Sequence, residues 1–359
     1  MRWCASQRSG YSIAWLIPIL SRTAQDIAQP PHSRKVALKL SAQQLEQFDK
    51  EGYVVVEDAL RHEDLDPVIE EYDRYVAEKA RELHGEGRIA QVYDDEPFER
   101  RLACMAEEDE EIYHASDAFI DIMHFRGKAT FDFLCNERLV QLMEGILGSE
   151  IICSPIQHVR AKLPSDLASG KNSHVAPWHQ DAQVHTEEAD PHFILTVWVP
   201  LCEATPENGC LQIIPGVHKR EVVFWSEGFG ISEKNMPAGD VLPVPMKKGS
   251  VLFLDKLTPH GSGPNETDCI RWSMDLRYQQ AGTPTGRSCY PDFAVLSRSD
   301  PASVLTDFSA WDRLWREALK EYPQKVGRKT RPEGPAPQKV EHRVERQPSL
   351  TMPQEGDVR

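Results

Sequence analysis

The sequence predicts a mainly β chain with helical additions (α+β), its core a barrel or double-sheet jelly roll. Three observations predict it. From Ile151 onward, short runs rich in β-branched and aromatic residues alternate with Gly, Pro and Asn turns. Segments with helical spacing crowd into the stretch before residue 150. Helices first and strands later, with no internal repeat, place the helices on one side of a β core.

Ser41-Ala-Gln-Gln44 matches a capping box and opens a short helix through Asp49, which Gly52 ends. Tyr53-Val-Val-Val56 reads as a strand. His62 to Leu83 is charged with apolar residues at helical intervals, the pattern of a surface helix. Residues 107–133 mix acidic and aromatic positions and predict further helix, and Glu137 to Leu147 another, stopped by Gly148. The expected strands are Ile151–Leu163, Gln183–Thr186, Phe193–Leu201, Cys210–Ile214, Val241–Pro245, Val251–Leu254 and Ile270–Tyr278. Glu207-Asn-Gly209 and Pro215-Gly-Val-His218 supply turns between them. One domain over 40–323 results: helix-rich to 150, a β core over 151–280, then a helical segment. Residues 1–39 form a disordered or targeting leader. It has Arg2, Arg8 and Arg22, no acid before residue 26, and an apolar Tyr11–Leu20 stretch broken by Pro18. Residues 324–359, rich in Pro, Gln and charge, form a disordered tail.

With 40% hydrophobic residues in 359, the chain can bury a large core. A formal charge of −15 argues against a nucleic-acid partner. The 8 cysteines include no CxxC pair, which favours reduced thiols over a zinc knot or disulfide framework. No apolar run is long enough to span a bilayer. The expected location is cytoplasmic, or organellar if the leader is a targeting segment.

His179-Gln180-Asp181 carries the chemistry. In an extended segment, residues i and i+2 point the same way, so His179 and Asp181 can reach one ion together. His260 follows the apolar run Val251–Leu254, at the kind of strand end where sites on β scaffolds gather. Two imidazoles and a carboxylate are the donors that hold non-haem Fe(II) on one face and leave the other open. A short H-x-D is common, and a hydrogen-bonded surface pair explains it equally well. His174, His185, His192 and His218 compete as donors; His185 sits among Thr186, Glu187 and Glu188, where solvation is expected. Arg271-Trp-Ser-Met-Asp-Leu-Arg277 alternates, so Arg271, Ser273, Asp275 and Arg277 share a face. A guanidinium beside a hydroxyl can clamp a carboxylate. Thr196 and Trp198 share another such face with Ile194.

The ordered set resembles the phytanoyl-CoA dioxygenase family of Fe(II)/2-oxoglutarate oxygenases. The matching pieces are Trp178-His-Gln-Asp181, Thr196-Val-Trp-Val-Pro-Leu201, Glu207-Asn-Gly-Cys-Leu211, Pro215-Gly-Val-His-Lys219, Gly249-Ser-Val-Leu-Phe253, His260-Gly-Ser262 with Asn265, and Arg271-Trp-Ser273. The resemblance implies a double-stranded β-helix (cupin-like jelly roll) flanked by helices. It implies Fe(II) as cofactor, with 2-oxoglutarate and O2 as cosubstrates. His179, Asp181 and His260 become the iron ligands, Arg271 and Ser273 the hold on the distal carboxylate, and Trp198 a wall of the cosubstrate pocket. Gln157 and Lys162 are further candidates for contact with cosubstrate or substrate. Asp181 favours oxygen transfer, since related halogenases lack that carboxylate. The partner expected is a small-molecule substrate, with no basic patch suited to CoA phosphates. Phe224-Trp225, Gly228-Phe-Gly230 and Met236-Pro237 are candidates for a lid, and residues 90–130 for a wall. The other classes open on these residues are a zinc or other metal-dependent cupin-like hydrolase or isomerase, and a non-catalytic jelly-roll binding protein.

Overall fold

In the computed structural model, which describes residues 38–109, 111–112, 120–167, 175–219 and 230–323, two antiparallel sheets face each other and helices cover the back of the larger one. The proposed leader, the tail, His174 and the lid residues Phe224-Trp225 lie wholly or largely outside the described residues.

The chain enters through α1 (Ala42–Glu51), whose Ser41 cap exchanges hydrogen bonds with Gln44 (3.2 Å to the hydroxyl, 2.8 Å to the amide oxygen) as the capping box requires. Gly52 ends it at φ 78°, and a Cβ there would strike His218 and Thr258. β1 (Tyr53–Val56) follows, then α2 (His62–Gly85), α3 (Phe98–Glu108), α4 (Lys128–Leu134) and α5 (Glu137–Leu147). The helix expected over 107–133 is therefore interrupted: α3 ends at Glu108, and α4 starts only at Lys128. Between them, His124 and Phe125 turn back onto the Asp121 carbonyl.

β2 (Glu150–Cys153), β3 (His158–Lys162), β4 (Ile194–Pro200), β5 (Leu211–Ile213), β6 (Leu242–Val244), β7 (Val251–Asp255), β8 (His260–Ser262), β9 (Arg271–Gln280) and β10 (Phe293–Ser297) complete the sheets, and α6 (Phe308–Glu321) closes the described chain. The larger sheet runs β1-β7-β4-β9-β2-β10, with β3 also paired to β9; the smaller runs β6-β5-β8. The run Ile151–Leu163 is thus two strands broken at 154–157. The strand expected at Gln183–Thr186 is instead a 3-10 turn over Asp181–Val184. β10 is not among the expected strands, although its run Phe293-Ala-Val-Leu296 between Pro291-Asp292 and Ser297 has a strand's composition.

β9 is the central strand, and its two faces differ. Trp272, Met274, Leu276 and Tyr278 join the main core against the helices. Leu195, Val197 and Val199 of β4 lie in the same core with Tyr72, Phe131, Trp311 and Trp315. Phe98 stacks on Trp272 at 4.4 Å between ring centroids. The opposite faces of β4 and β9 look into the space between the sheets. A second apolar cluster of Trp198, Leu211, Ile213, Leu252 and Leu254 fills one part of that space. The rest is polar, and it is where the candidate site lies.

Candidate metal centre and cosubstrate pocket

His179 and His260 meet across an isolated antiparallel bridge that continues the smaller sheet, their N–H and C=O groups exchanging two 2.9 Å bonds. The reciprocal pairing sets both imidazoles side by side, 4.2 Å between ring centroids. Each ring makes a bond to the carbonyl two residues back: His179 Nδ1 to Pro177 at 2.7 Å, His260 Nδ1 to Thr258 at 3.0 Å. A carbonyl only accepts, so both Nδ1 atoms carry the hydrogen and both Nε2 atoms carry the lone pair, the tautomer that metal ligation through Nε2 needs. Burial, then the neighbouring His260, lowers the His179 pKa to about 3, which keeps that ring neutral as ligation needs.

The chain stays extended through Gln180 (φ −113°, ψ 137°), whose side chain turns away and donates to the Leu257 carbonyl at 2.6 Å. Asp181 then opens the 3-10 turn, so its carboxylate returns to the side of His179. Its Oδ1 lies 3.7 Å from His179 Nε2 and 3.9 Å from His260 Nε2. The three donor atoms all fall within 4.8 Å of one another, and all three residues are buried. Burial alone would raise the Asp181 pKa; Arg277, then His260 and His179, more than offset it and hold the carboxylate ionised. Two imidazoles and one charged oxygen, with no thiol among them, fit Fe(II).

Arg277 donates Nη2 to Asp181 Oδ1 at 2.7 Å and Nη1 to Asp275 Oδ1 at 2.8 Å. The Thr196 hydroxyl donates to Asp181 Oδ2. Alternation had placed Arg277 and Thr196 on the correct faces but gave neither a role; that shared face was the available signal. The segment after the turn is held by Lys256, which is buried and whose Nζ donates to the carbonyls of Ala189, Asp190 and His192 at 2.8, 2.9 and 2.5 Å.

Arg271 is 5% exposed and lies six residues along the same face. Its Nη1 donates to Ser273 Oγ at 3.0 Å, and its guanidinium carbon sits 5.3 Å from the Trp198 ring centroid. Its Nε has no partner, and among the described residues no carboxylate pairs with it. Burial lowers its pKa to about 10, so it remains a cation. Opposite it in the β3–β9 register stands Lys162, whose ammonium donates to Ser262 Oγ at 3.0 Å. Burial and then Arg271 lower the Lys162 pKa to about 7. Gly209, at φ 74°, packs against the Lys162 stem, where any Cβ would collide. A buried guanidinium without a carboxylate is a poor folding element and a good anion receptor.

Two expectations are corrected. Gln157 does not reach the pocket: its amide is spent on Ser154 and on the backbone of Arg277. His185 is not solvated but 1% exposed, its Nδ1 bonded to the Thr285 carbonyl at 3.0 Å, and burial lowers its pKa to about 3. His218, a competing donor in the sequence, has a structural place against Asp49 of α1, and neither it nor His185 joins the metal triad.

A family model for phytanoyl-CoA dioxygenase matches residues 48–273. The chain belongs to that family, whose members are iron- and 2-oxoglutarate-dependent oxygenases. Among curated relatives, methylphosphonate hydroxylase of Gimesia maris is 37% identical over 100 residues, 28% of this chain and 37% of that one. Peroxisomal phytanoyl-CoA dioxygenase of Mus musculus is 23% identical over 252 residues, 67% of this chain and 68% of that one. Matches to the first relatives thus span from about a third to about two thirds of their length. A non-haem monooxygenase, the ThoJ–Ni complex, shares the fold at TM-score 0.50 and 17% identity over 78% of this chain and 97% of its own. No helix among the described residues is long and apolar enough to cross a membrane.

Proposed function

We propose that the chain is an Fe(II)- and 2-oxoglutarate-dependent dioxygenase that hydroxylates a small organic molecule, with release of succinate and CO2. One observation carries the reading: a single face of β9 ties the carboxylate of a His-Asp-His triad at one end and presents at the other a buried arginine with no carboxylate partner among the described residues. A metal hydrolase has no use for that second arginine.

His179, Asp181 and His260 would hold the metal through Nε2, Oδ1 and Nε2. When bound, Fe(II) supplies the redox chemistry that couples oxidative decarboxylation of 2-oxoglutarate to insertion of one oxygen atom of O2 into a C–H bond. Arg271 and Ser273 bind the distal carboxylate of the cosubstrate, and Lys162 adds a second cation to that end. Trp198 supplies an apolar wall under the guanidinium. Desolvation strengthens these contacts and fixes the cosubstrate in one pose. Asp181 occupies the position that would otherwise admit a halide, which favours hydroxylation. The relatives' names span methylphosphonate, ectoine and phytanoyl-CoA, so the substrate is set by residues outside this shared frame.

The test is succinate release from 2-oxoglutarate with Fe(II) and ascorbate, over a broad panel of small organic acids, amines and alcohols. Iron-dependent succinate release above a metal-free control supports the reading. No turnover on any member, combined with tight zinc and no iron binding, removes it.

A further inference from the structure

We infer that Arg277, seated by the Gln157 side chain and helped by Thr196, is a positioning residue that fixes Asp181 as a one-oxygen metal ligand before any metal arrives. The inference rests on the metal reading of the triad given above.

The first observation is a gap in the sheet. β9 pairs with β3 from Arg271 to Asp275 and with β2 from Tyr278 to Gln280. Residues 154–157 bulge out between those two partners, which would leave the peptide groups of Arg277 without a full strand beside them. The Gln157 amide takes that place. Its Oε1 accepts from the Arg277 N–H at 3.2 Å, and its Nε2 donates to the Arg277 carbonyl at 2.8 Å. The same nitrogen donates to the Ser154 carbonyl at 2.6 Å, and the Ser154 N–H reaches the Arg277 carbonyl at 3.0 Å. A side-chain amide thus stands in for a strand at one residue. Interruptions of this kind re-aim side chains beside active sites.

The second observation is where the side chain goes. Arg277 is 3% exposed and divides its two terminal nitrogens between Asp181 and Asp275. Thr196 stands directly across β4 from Arg277 in the strand register and donates to the other Asp181 oxygen. Both carboxylate oxygens are therefore engaged, and only Oδ1 lies between the two Nε2 atoms. Turning the carboxylate so that both oxygens face a metal would break both bonds. The guanidinium charge opposes an incoming cation. Without it, however, a fully buried carboxylate would hang on one hydroxyl, and losing such outer partners costs roughly 10–100-fold in metal affinity.

The test uses the full-length chain stripped of metal, with Co(II) titrated under argon and no 2-oxoglutarate present. Calorimetry gives the affinity and visible absorption reports the ligand field. Arg277→Met should weaken Co(II) binding by roughly 10–100-fold, and Arg277→Lys should recover part of the loss. Thr196→Val should weaken it less and alter the absorption bands of the folded protein, which a merely structural role would not. Should Arg277→Met fail to fold, Thr196→Val and Gln157→Leu carry the test. Wild-type affinity and an unchanged spectrum in the folded variants overturn the inference while leaving the metal site standing. A wild-type chain that binds no Co(II) overturns the metal reading and this inference together.

Discussion

Two buried arginines on one face of one strand are treated in opposite ways. Arg277 meets two carboxylates at 2.7 and 2.8 Å; Arg271 meets none among the described residues and rests on a hydroxyl and an indole face. They are 3% and 5% exposed, so burial does not separate them. What separates them is whether the counter-ion is part of the chain. The metal end keeps its anion permanently, because Asp181 must already be charged and aimed. The other end leaves a cation exposed to the pocket, and a dicarboxylate from solution completes it. A fold that neutralised both arginines would be more stable and would bind nothing there.

The largest expected effect breaks the metal end outright. Asp181→Ala should lower iron-dependent succinate release by at least roughly a thousandfold, since only two donors remain to hold the ion. Activity near that of the wild type would remove Asp181 from the metal. Next comes stability. Arg277→Met strands the buried Asp181 carboxylate and leaves the partly exposed Asp275 without its partner, and breaking a buried pair in this way costs about 3–5 kcal/mol, read as a lower denaturation midpoint of the metal-free chain. Arg271→Met should do the reverse to the empty protein: an unpaired buried cation is replaced by an apolar side chain, so the midpoint stays or rises. The same variant should raise the 2-oxoglutarate KM by roughly 30–150-fold, about 2–3 kcal/mol of charge-assisted bonding, with little change in the iron requirement. Equal loss of stability in both arginine variants would erase the distinction drawn between them.

Much of this was legible in advance because β9 alternates strictly. Period two put Arg271, Ser273 and Arg277 on one face and the core residues Trp272, Met274 and Leu276 on the other, and the strand kept that pattern. His179 and Asp181 came together as i, i+2 spacing suggested, although the carboxylate arrives from the first residue of a 3-10 turn rather than from a strand. What alternation cannot show is a partner across the sheet gap. The Arg277–Asp181 pair spans 96 residues and depends on the register of β4 against β9. Ser154-Pro155 marks the break in the strand run, but nothing in the sequence places the Gln157 amide against the backbone of Arg277, 120 residues on. His185 was misread because charged neighbours in sequence say nothing about the loop at Thr285 that covers it.

The smallest expected effect sharpens the open end. Lys162 faces Arg271 from the neighbouring strand and Ser262 from the other sheet, with Gly209 against its stem. Burial and the adjacent guanidinium bring its pKa down to about 7 from 10.5. In the cosubstrate-free protein the ammonium therefore loses its proton as pH rises through about 7, whereas the unfolded chain keeps it until 10.5. Across that window the unfolded chain holds the extra proton, so this group makes the empty fold more stable as pH rises. Binding a dicarboxylate favours the ammonium and must take the proton back. The 2-oxoglutarate affinity should then be flat below about pH 7 and fall by up to tenfold per pH unit above it. Lys162→Met should flatten both slopes and weaken binding at pH 6.5. Calorimetric titration of 2-oxoglutarate into the Co(II) form from pH 6.5 to 9 reads the slope directly. A wild-type affinity that does not change over that range places Lys162 away from the carboxylate and leaves Arg271 and Ser273 to hold it alone.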